Sequence, residues 1–132
     1  MSSVFSRIIS REIKGYIVAE DEHYIAFLDI NPLTIGHTLV VPKKEVDYIF
    51  DLDDQTISGI HLFAKKVALG IQKVIPCNRI GMAVIGLEVP HAHIHLVPMN
   101  TMEDINFALK KLKPTAEELK STADKIIAAI QL

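Results

Sequence analysis

Short runs of apolar residues, separated by turn-forming residues, fill the first third of the chain and predict strands. The runs at 16–19 and 23–28 lie on either side of an acidic turn and predict a β-hairpin. A turn-rich stretch at 31–36 leads into a third strand at 37–42, which ends on a proline. Residues 4–13 fit either a short helix or an irregular segment.

A longer period of three or four residues predicts one long helix in the middle of the chain. The stretch 51–54 offers aspartates that can cap its N-terminus. Because only one face of this helix is apolar, that face is expected to lie on a sheet. The apolar positions at this spacing are Ile57, Ile60, Ala64, Val67, Ile71 and Val74.

The remainder of the chain predicts two more strands, at 79–85 and 89–99, and then helices. Two patterns that resemble capping boxes, at Thr101 and Thr115, open the predicted C-terminal helices. Strands that neighbour in sequence, with helices gathered elsewhere, are typical of α+β proteins. We expect an antiparallel sheet of about five strands with a long helix packed on it.

Composition and charge exclude several classes of protein. The 14 basic and 16 acidic residues are scattered in short groups, so no basic stripe for nucleic acid is expected. No apolar run approaches the ~18 residues of a membrane span. The single cysteine, Cys77, fits a reducing compartment. The sequence thus predicts a soluble cytoplasmic protein that binds neither nucleic acid nor membrane.

Three of the six histidines stand at alternate positions, His91, His93 and His95. A strand rises roughly 3.3 Å per residue and alternates its side chains, so this spacing stacks three imidazoles on one face, ~6.6 Å apart. Imidazole acts as nucleophile, base or metal ligand near neutral pH. Metal binding, catalysis and a packed polar strand all remain open on this pattern alone, although three successive same-face rings cannot converge on one ion unless the strand bends.

The histidine row resembles the signature of the histidine triad (HIT) family, His-φ-His-φ-His-φ-φ, where φ is apolar. Residues 3–13, 26–32 and 36–44 resemble the other motifs of that family, in the same order and spacing. The resemblance covers roughly residues 3–98 and is greatest to the Hint-like branch of nucleotide-binding phosphoramidases and hydrolases. It implies a single HIT-like domain over 1–132, with a core at 3–99 and a C-terminal helical extension at 100–132, and it implies a homodimer.

The resemblance also assigns catalytic roles to four histidines. It implies that His93 attacks the α-phosphorus of a nucleoside phosphoramidate or nucleotide ester, forming a nucleotidyl-imidazole that water hydrolyses. A backbone carbonyl or another histidine that accepts the second N–H of His93 would fix its tautomer, and the neighbouring His91 is the natural candidate for that support. His95 is expected to contact a phosphate oxygen, and His37 is expected to lie beside the row.

A purine nucleotide similar to AMP is the ligand that the resemblance implies. The carboxylate of Asp29 is expected to accept hydrogen bonds from the ribose hydroxyls. A purine offers a flat apolar face, for which apolar walls are expected. The residues expected to form these walls are Val4, Phe5, Ile8, Phe27 and Ile30.

The chain departs from the family in the loop before the histidine row. Gly86 matches, but Leu87 and Glu88 replace a glutamine and a hydroxyl residue that donate to the phosphate in relatives, and the loop is shorter. A carboxylate at Glu88 would repel a phosphate by on the order of a kcal/mol or more. These three residues are expected at the phosphate, and they favour an alternative function, a module that binds nucleoside monophosphate without turnover.

A second departure concerns zinc. Some bacterial relatives hold a structural zinc through two cysteines and two histidines, whereas Ser3, Ser6 and Glu45 occupy three of those four places here. Hydroxyls and one carboxylate do not replace two thiolates. We therefore expect no metal and no cofactor.

Overall fold

Five strands form one antiparallel sheet in the order β1-β2-β3-β5-β4 in the computed structural model, which describes residues 2–130. This confirms the predicted α+β class with its antiparallel sheet. No helix among the described residues is long and apolar enough to cross a membrane. The elements are α1 (Val4–Ile9), β1 (Ile17–Glu20), β2 (Tyr24–Leu28), β3 (Thr38–Pro42), α2 (Asp54–Val74), β4 (Arg79–Ala83), β5 (Ile94–Met99) and α3 (Ala116–Ala129).

The predicted long helix is α2, and its beginning and its buried face follow from local sequence. The carboxylate of Asp53 caps it by accepting the backbone N–H of Thr56 at 2.7 Å. Its apolar face packs with α3 on one side of the sheet. The buried residues of that face are Ile60, Phe63, Ala64, Val67, Gly70 and Ile71.

The two capping boxes have different outcomes. Thr115 and Glu118 cap each other reciprocally at the start of α3, as predicted. The box at Thr101 is also formed, and the helix that it opens is a single turn of 3-10 helix, Met102–Ile105. The side chain of Asn106 accepts the N–H of Ala108 at 3.0 Å, and such a local bond competes with continuation of a helix.

A second apolar cluster lies on the opposite side of the sheet, beneath α1. Alternation along β2 and β3 divides their residues between the two sides, so that Phe27 and Leu39 face α1 while Ala26 and Val40 face α2. Leu39 is the cross-strand partner of His95 on β5. His95 therefore lies on the α1 side of the sheet.

The histidine strand begins later than predicted, at Ile94 and not at residue 89. The backbone before Ile94 bonds elsewhere, because the N–H of Ala92 donates to the carbonyl of Val46 at 2.7 Å. His91 and His93 therefore sit on a loop that leads into β5. Strand β4 also ends early, at Ala83, ahead of a turn in which Gly86 has a φ of +79°.

Candidate active site

His37, His93 and His95 gather on the α1 side of the sheet. Nε2 of His37 lies 2.9 Å from Nδ1 of His95, and the rings of His93 and His95 are 4.8 Å apart between centroids. The ring of His91 is fully buried between Ser3 and the carbonyl of Pro42, and its centroid is 6.0 Å from that of Phe5. The rings of His91 and His93 thus both lie against Phe5 of α1, on the side of the sheet where His95 also lies.

The hydrogen bonds fix the protonation of His93. Nδ1 of His93 lies 2.7 Å from the backbone carbonyl oxygen of His91. A carbonyl only accepts, so Nδ1 carries the proton. Burial lowers the pKa of His93 below its usual value, against the opposing effect of that hydrogen bond. The neutral ring therefore keeps a lone pair on Nε2, and the ring lines a cavity.

A second chain of hydrogen bonds fixes the protonation of His95. The backbone N–H of Leu33 donates to Nδ1 of His37 at 3.0 Å, so the proton of a neutral His37 is on Nε2. That N–H donates to Nδ1 of His95, which leaves His95 with an N–H at Nε2. Burial lowers the pKa of His37 to about 4 and that of His95 to about 3. His95 thus offers a neutral donor.

Asp29, His37 and His95 are spaced as metal ligands are, with one ligand atom of each within 4.8 Å of the others. A metal on Nε2 of His37 would require the proton to move to Nδ1, where it would meet the N–H of Leu33. Two facing donors repel each other, so the hydrogen bonds of this cluster oppose a metal ion.

The cavity has a volume of about 450 Å³ and brings together seven of the predicted site residues. Burial raises the pKa of Asp29 within it, and Oδ1 of Asp29 accepts the N–H of Asn31 at 2.9 Å. Phe5 meets the ring of His93 edge to face at 4.9 Å. The predicted residues that line the cavity are Phe5, Asp29, Gly86, Leu87, Glu88, His93 and His95.

Four residues predicted to wall the base do not line this cavity. Ile8 and Phe27 are buried with Phe5 in the apolar cluster beneath α1, and the rings of Phe5 and Phe27 lie 5.3 Å apart. Val4 and Ile30 are 41% and 56% exposed. Ile8 and Phe27 therefore support Phe5 from below, and contact of these four residues with a base stays a prediction.

The sequence analysis missed the wall contributed by the segment 106–113. The ring of Phe107 meets that of His95 at 4.7 Å, and the Lys111 ammonium donates to the carbonyl of Phe107 at 3.0 Å. The N–H of Leu112 donates to the carbonyl of Pro32 at 2.9 Å, which anchors the segment beside Asp29. One signal was present, since Phe107 is the only aromatic residue after Phe63.

Comparison with known proteins shows the family of this chain. The model of the HIT domain family matches residues 10–102, and the chain belongs to that family. It is similar to an uncharacterized HIT-like protein of Borreliella burgdorferi, with 32% identity over 93% of this chain and 94% of that protein. It is also similar to the adenosine 5'-monophosphoramidase hnt1 of Schizosaccharomyces pombe, with 29% identity over 99% of this chain and 100% of that enzyme.

A zinc-bound histidine triad family protein from Mycobacterium smegmatis superposes with a TM-score of 0.84, at 27% identity, covering 98% of this chain and 93% of that one. The residues expected in place of zinc ligands do converge here: the Ser3 hydroxyl lies 2.8 Å from Nδ1 of His91, and the Ser6 hydroxyl donates to Glu45 at 2.6 Å. These four residues satisfy one another by hydrogen bonding and include no thiolate. The set does not fit zinc.

We expect stability to fall with acid as the buried histidines gain protons. The pKa values of His37 and His95 lie below the ordinary 6.5, so the unfolded chain binds protons that the folded chain resists. The contribution of these two neutral rings to the free energy of unfolding is complete above pH 6.5 and is lost as the pH falls toward 4 for His37 and 3 for His95. The raised pKa of Asp29 has the opposite effect on stability in acid, because its carboxyl binds a proton more readily in the folded chain than in the unfolded one.

Urea unfolding at pH 7, 5 and 4 measures this effect, which we expect to be on the order of a few kcal/mol. His95→Asn should flatten the decrease between pH 6.5 and 4, whereas replacement of the exposed His23 by Asn should not. A free energy of unfolding that does not change over this range would contradict the neutral, buried state of these rings.

Proposed function

We propose that this chain, as a Hint-like member of its family, hydrolyses a P–N or P–O bond at the α-phosphorus of a nucleoside phosphoramidate or nucleotide ester. One observation carries the proposal: the bond from Nδ1 of His93 to the carbonyl of His91 directs a neutral, unprotonated Nε2 to the cavity. A neutral imidazole attacks phosphorus readily and leaves readily afterwards. The similarity to hnt1, an adenosine 5'-monophosphoramidase, supports this choice of substrate class.

The reaction takes place in two displacements at phosphorus. Nε2 of His93 forms an N–P bond while the bond from phosphorus to the leaving amine or alcohol breaks, and the leaving group takes that electron pair and a proton from solvent. Water then attacks the same phosphorus and loses a proton to solvent, the N–P bond breaks, and its electrons return to Nε2. The products are a nucleoside monophosphate and the free leaving group.

The other cavity residues assist by binding. The Nε2–H of His95 donates to a phosphoryl oxygen as charge develops there. Asp29 accepts from the ribose hydroxyls, and Phe5 offers an apolar face to a purine, so an AMP-like ligand fits.

Release of AMP from an adenosine phosphoramidate tests the proposal directly. We expect turnover by the purified chain, and denaturation during turnover should trap an adenylyl group that peptide mass spectrometry places on His93. An adenylyl group found on another residue would contradict the assignment of the nucleophile.

A second candidate function is binding of nucleoside monophosphate without turnover. Glu88 lines the cavity and Leu87 is 89% exposed, so the loop before the histidines presents a carboxylate and an apolar side chain. Calorimetry with AMP beside the turnover assay separates the two functions. Binding of AMP with no release from several phosphoramidates would select the binding module.

We expect Glu88→Gln to raise kcat/KM. Removal of a negative charge close to a phosphate relieves repulsion on the order of a kcal/mol, which corresponds to an increase of about three- to tenfold. Glu117→Gln on α3 removes an exposed carboxylate outside the cavity and should leave the rate unchanged. A decrease in Glu88→Gln would show instead that this carboxylate binds the substrate or its leaving group.

We also propose a cytoplasmic homodimer. Strand β4 forms an edge of the sheet, and Met82 and Ile85 on and beside it are 54% and 44% exposed. An unpaired edge with apolar side chains favours pairing with a second copy. Sedimentation velocity should give a mass twice that of the chain, and a monomer at micromolar concentration would contradict this.

The single Cys77 supports the cytoplasmic part of this proposal, because an unpaired cysteine suits a reducing location.

A further inference from the structure

A chain of hydrogen bonds outside the cavity begins at the exposed carboxylate of Glu45. Its Oε1 accepts the backbone N–H of Ser3 at 2.7 Å and the hydroxyl of Ser6 at 2.6 Å. Ser3 is the N-cap of α1, since its Oγ accepts the N–H of Ser6 at 3.0 Å. Glu45 therefore fastens the first turn of α1 to the loop after β3.

Ser3, which Glu45 holds in place, in turn holds the ring of His91. Nε2 of His91 lies 2.8 Å from the carbonyl oxygen of Pro42, which can only accept, so Nε2 carries the proton. Burial lowers the pKa of His91, so its ring is neutral and Nδ1 is an acceptor. The Ser3 hydroxyl, 2.8 Å away, therefore donates to Nδ1. One bond to each ring nitrogen fixes the orientation of His91.

His91 in turn orients the proposed nucleophile. Its carbonyl oxygen accepts Nδ1–H of His93. The next residue, Ala92, donates its N–H to the carbonyl of Val46, which follows Glu45. The loop after β3 thus holds the histidine loop at the backbone of Ala92 and, through Ser3, at the ring of His91.

We propose that Glu45 and Ser3 are positioning residues for His93, which act through His91 and contact neither the substrate nor the cavity. They keep the carbonyl of His91 directed at Nδ1 of His93, and so keep the unprotonated Nε2 directed at the cavity. The catalytic consequence rests on the proposed hydrolase function. The structural consequence does not, because the protonation of His93 can be measured without substrate.

Two variants test the proposal. Glu45→Gln keeps the shape of the side chain but removes the charge, and Ser3→Ala removes the donor to His91. We expect kcat for an adenosine phosphoramidate to fall about three- to tenfold in Glu45→Gln and about ten- to a hundredfold in Ser3→Ala. Affinity for AMP should stay within about twofold in both, because neither residue lines the cavity.

Long-range ¹H–¹⁵N spectra of the histidine rings give a second readout. In the unmodified chain the proton of His93 should be on Nδ1, whereas in Ser3→Ala we expect a mixture of the two tautomers.

Two controls separate positioning from loss of stability. Ser3→Ala also removes the cap of α1, so Asp53→Ala, which removes the cap of α2, is its match. Glu12→Gln removes an exposed carboxylate that pairs with Arg7 on α1, at 3.3 Å, and is the match for Glu45→Gln. Neither control should change kcat or the tautomer of His93.

The outcomes distinguish this proposal from the proposed function. Equal losses of kcat in Ser3→Ala and Asp53→Ala, or an unchanged His93 tautomer in Ser3→Ala, would overturn the positioning role. If the unmodified chain shows no turnover while Ser3→Ala still mixes the tautomers of His93, the hydrolase function fails and the positioning role stands.

Discussion

Replacement of His93 by alanine should abolish release of AMP from an adenosine phosphoramidate, with a loss of at least about a thousandfold in kcat. No other side chain can take its place from the same position. Of its neighbours, His95 has its unprotonated nitrogen bonded to His37, and His91 has both ring nitrogens engaged outside the cavity. Only His93 presents a free lone pair to the cavity among these three rings.

Binding and folding measurements make this result interpretable. The variant should still bind AMP, because Asp29, Phe5 and His95 remain, and its circular dichroism and melting temperature should show a folded chain. His23→Ala is a matched control, since His23 is exposed and lies outside the cavity. Full release of AMP by His93→Ala would refute the covalent mechanism.

Replacement of Ile60 by alanine should destabilise the chain by about 2–5 kcal/mol. Ile60 is fully buried on the face of α2 that packs on the sheet, so truncation leaves a cavity in the larger apolar cluster. Leu62→Ala is the control, since Leu62 lies on the same helix, loses a side chain of similar size and is 65% exposed. Urea unfolding should show a change within about 0.5 kcal/mol for Leu62→Ala. Equal losses in the two variants would contradict the packing of α2.

Elements defined by local sequence were predictable. The cap at Asp53 and the spacing of Ile60 and Ile71 act within one helix, and the predicted α2 is confirmed. The same holds for the capping box at Thr115. At Thr101 the box also opens a helix, a single 3-10 turn that ends at Asn106, whose side chain accepts the N–H of Ala108.

The sequence indicated which side chains form the site, but it did not indicate the distant backbone groups that orient them and set their protonation. The family motifs indicated His37 and His95, and the structure joins them by a hydrogen bond across 58 positions of sequence. The N–H of Leu33, which sets the protonation of both rings, has no signature in a sequence. Nor does the carbonyl of Val46, which accepts the N–H of Ala92 just before β5 begins.

The walls of the cavity differ in how they are held. His95 is fixed by β5 and by His37, and His93 is fixed by the carbonyl of His91 on the loop before β5, whereas Phe107 and Lys111 belong to a segment outside the sheet. Leu112 ties that segment down through one backbone bond to the turn after Asp29. The reacting groups and the groups opposite them therefore belong to different parts of the chain, which meet where Phe107 packs on His95. Exchange of residues 106–113 alone offers a route to retune which leaving groups are accepted while the chemistry at His93 is preserved.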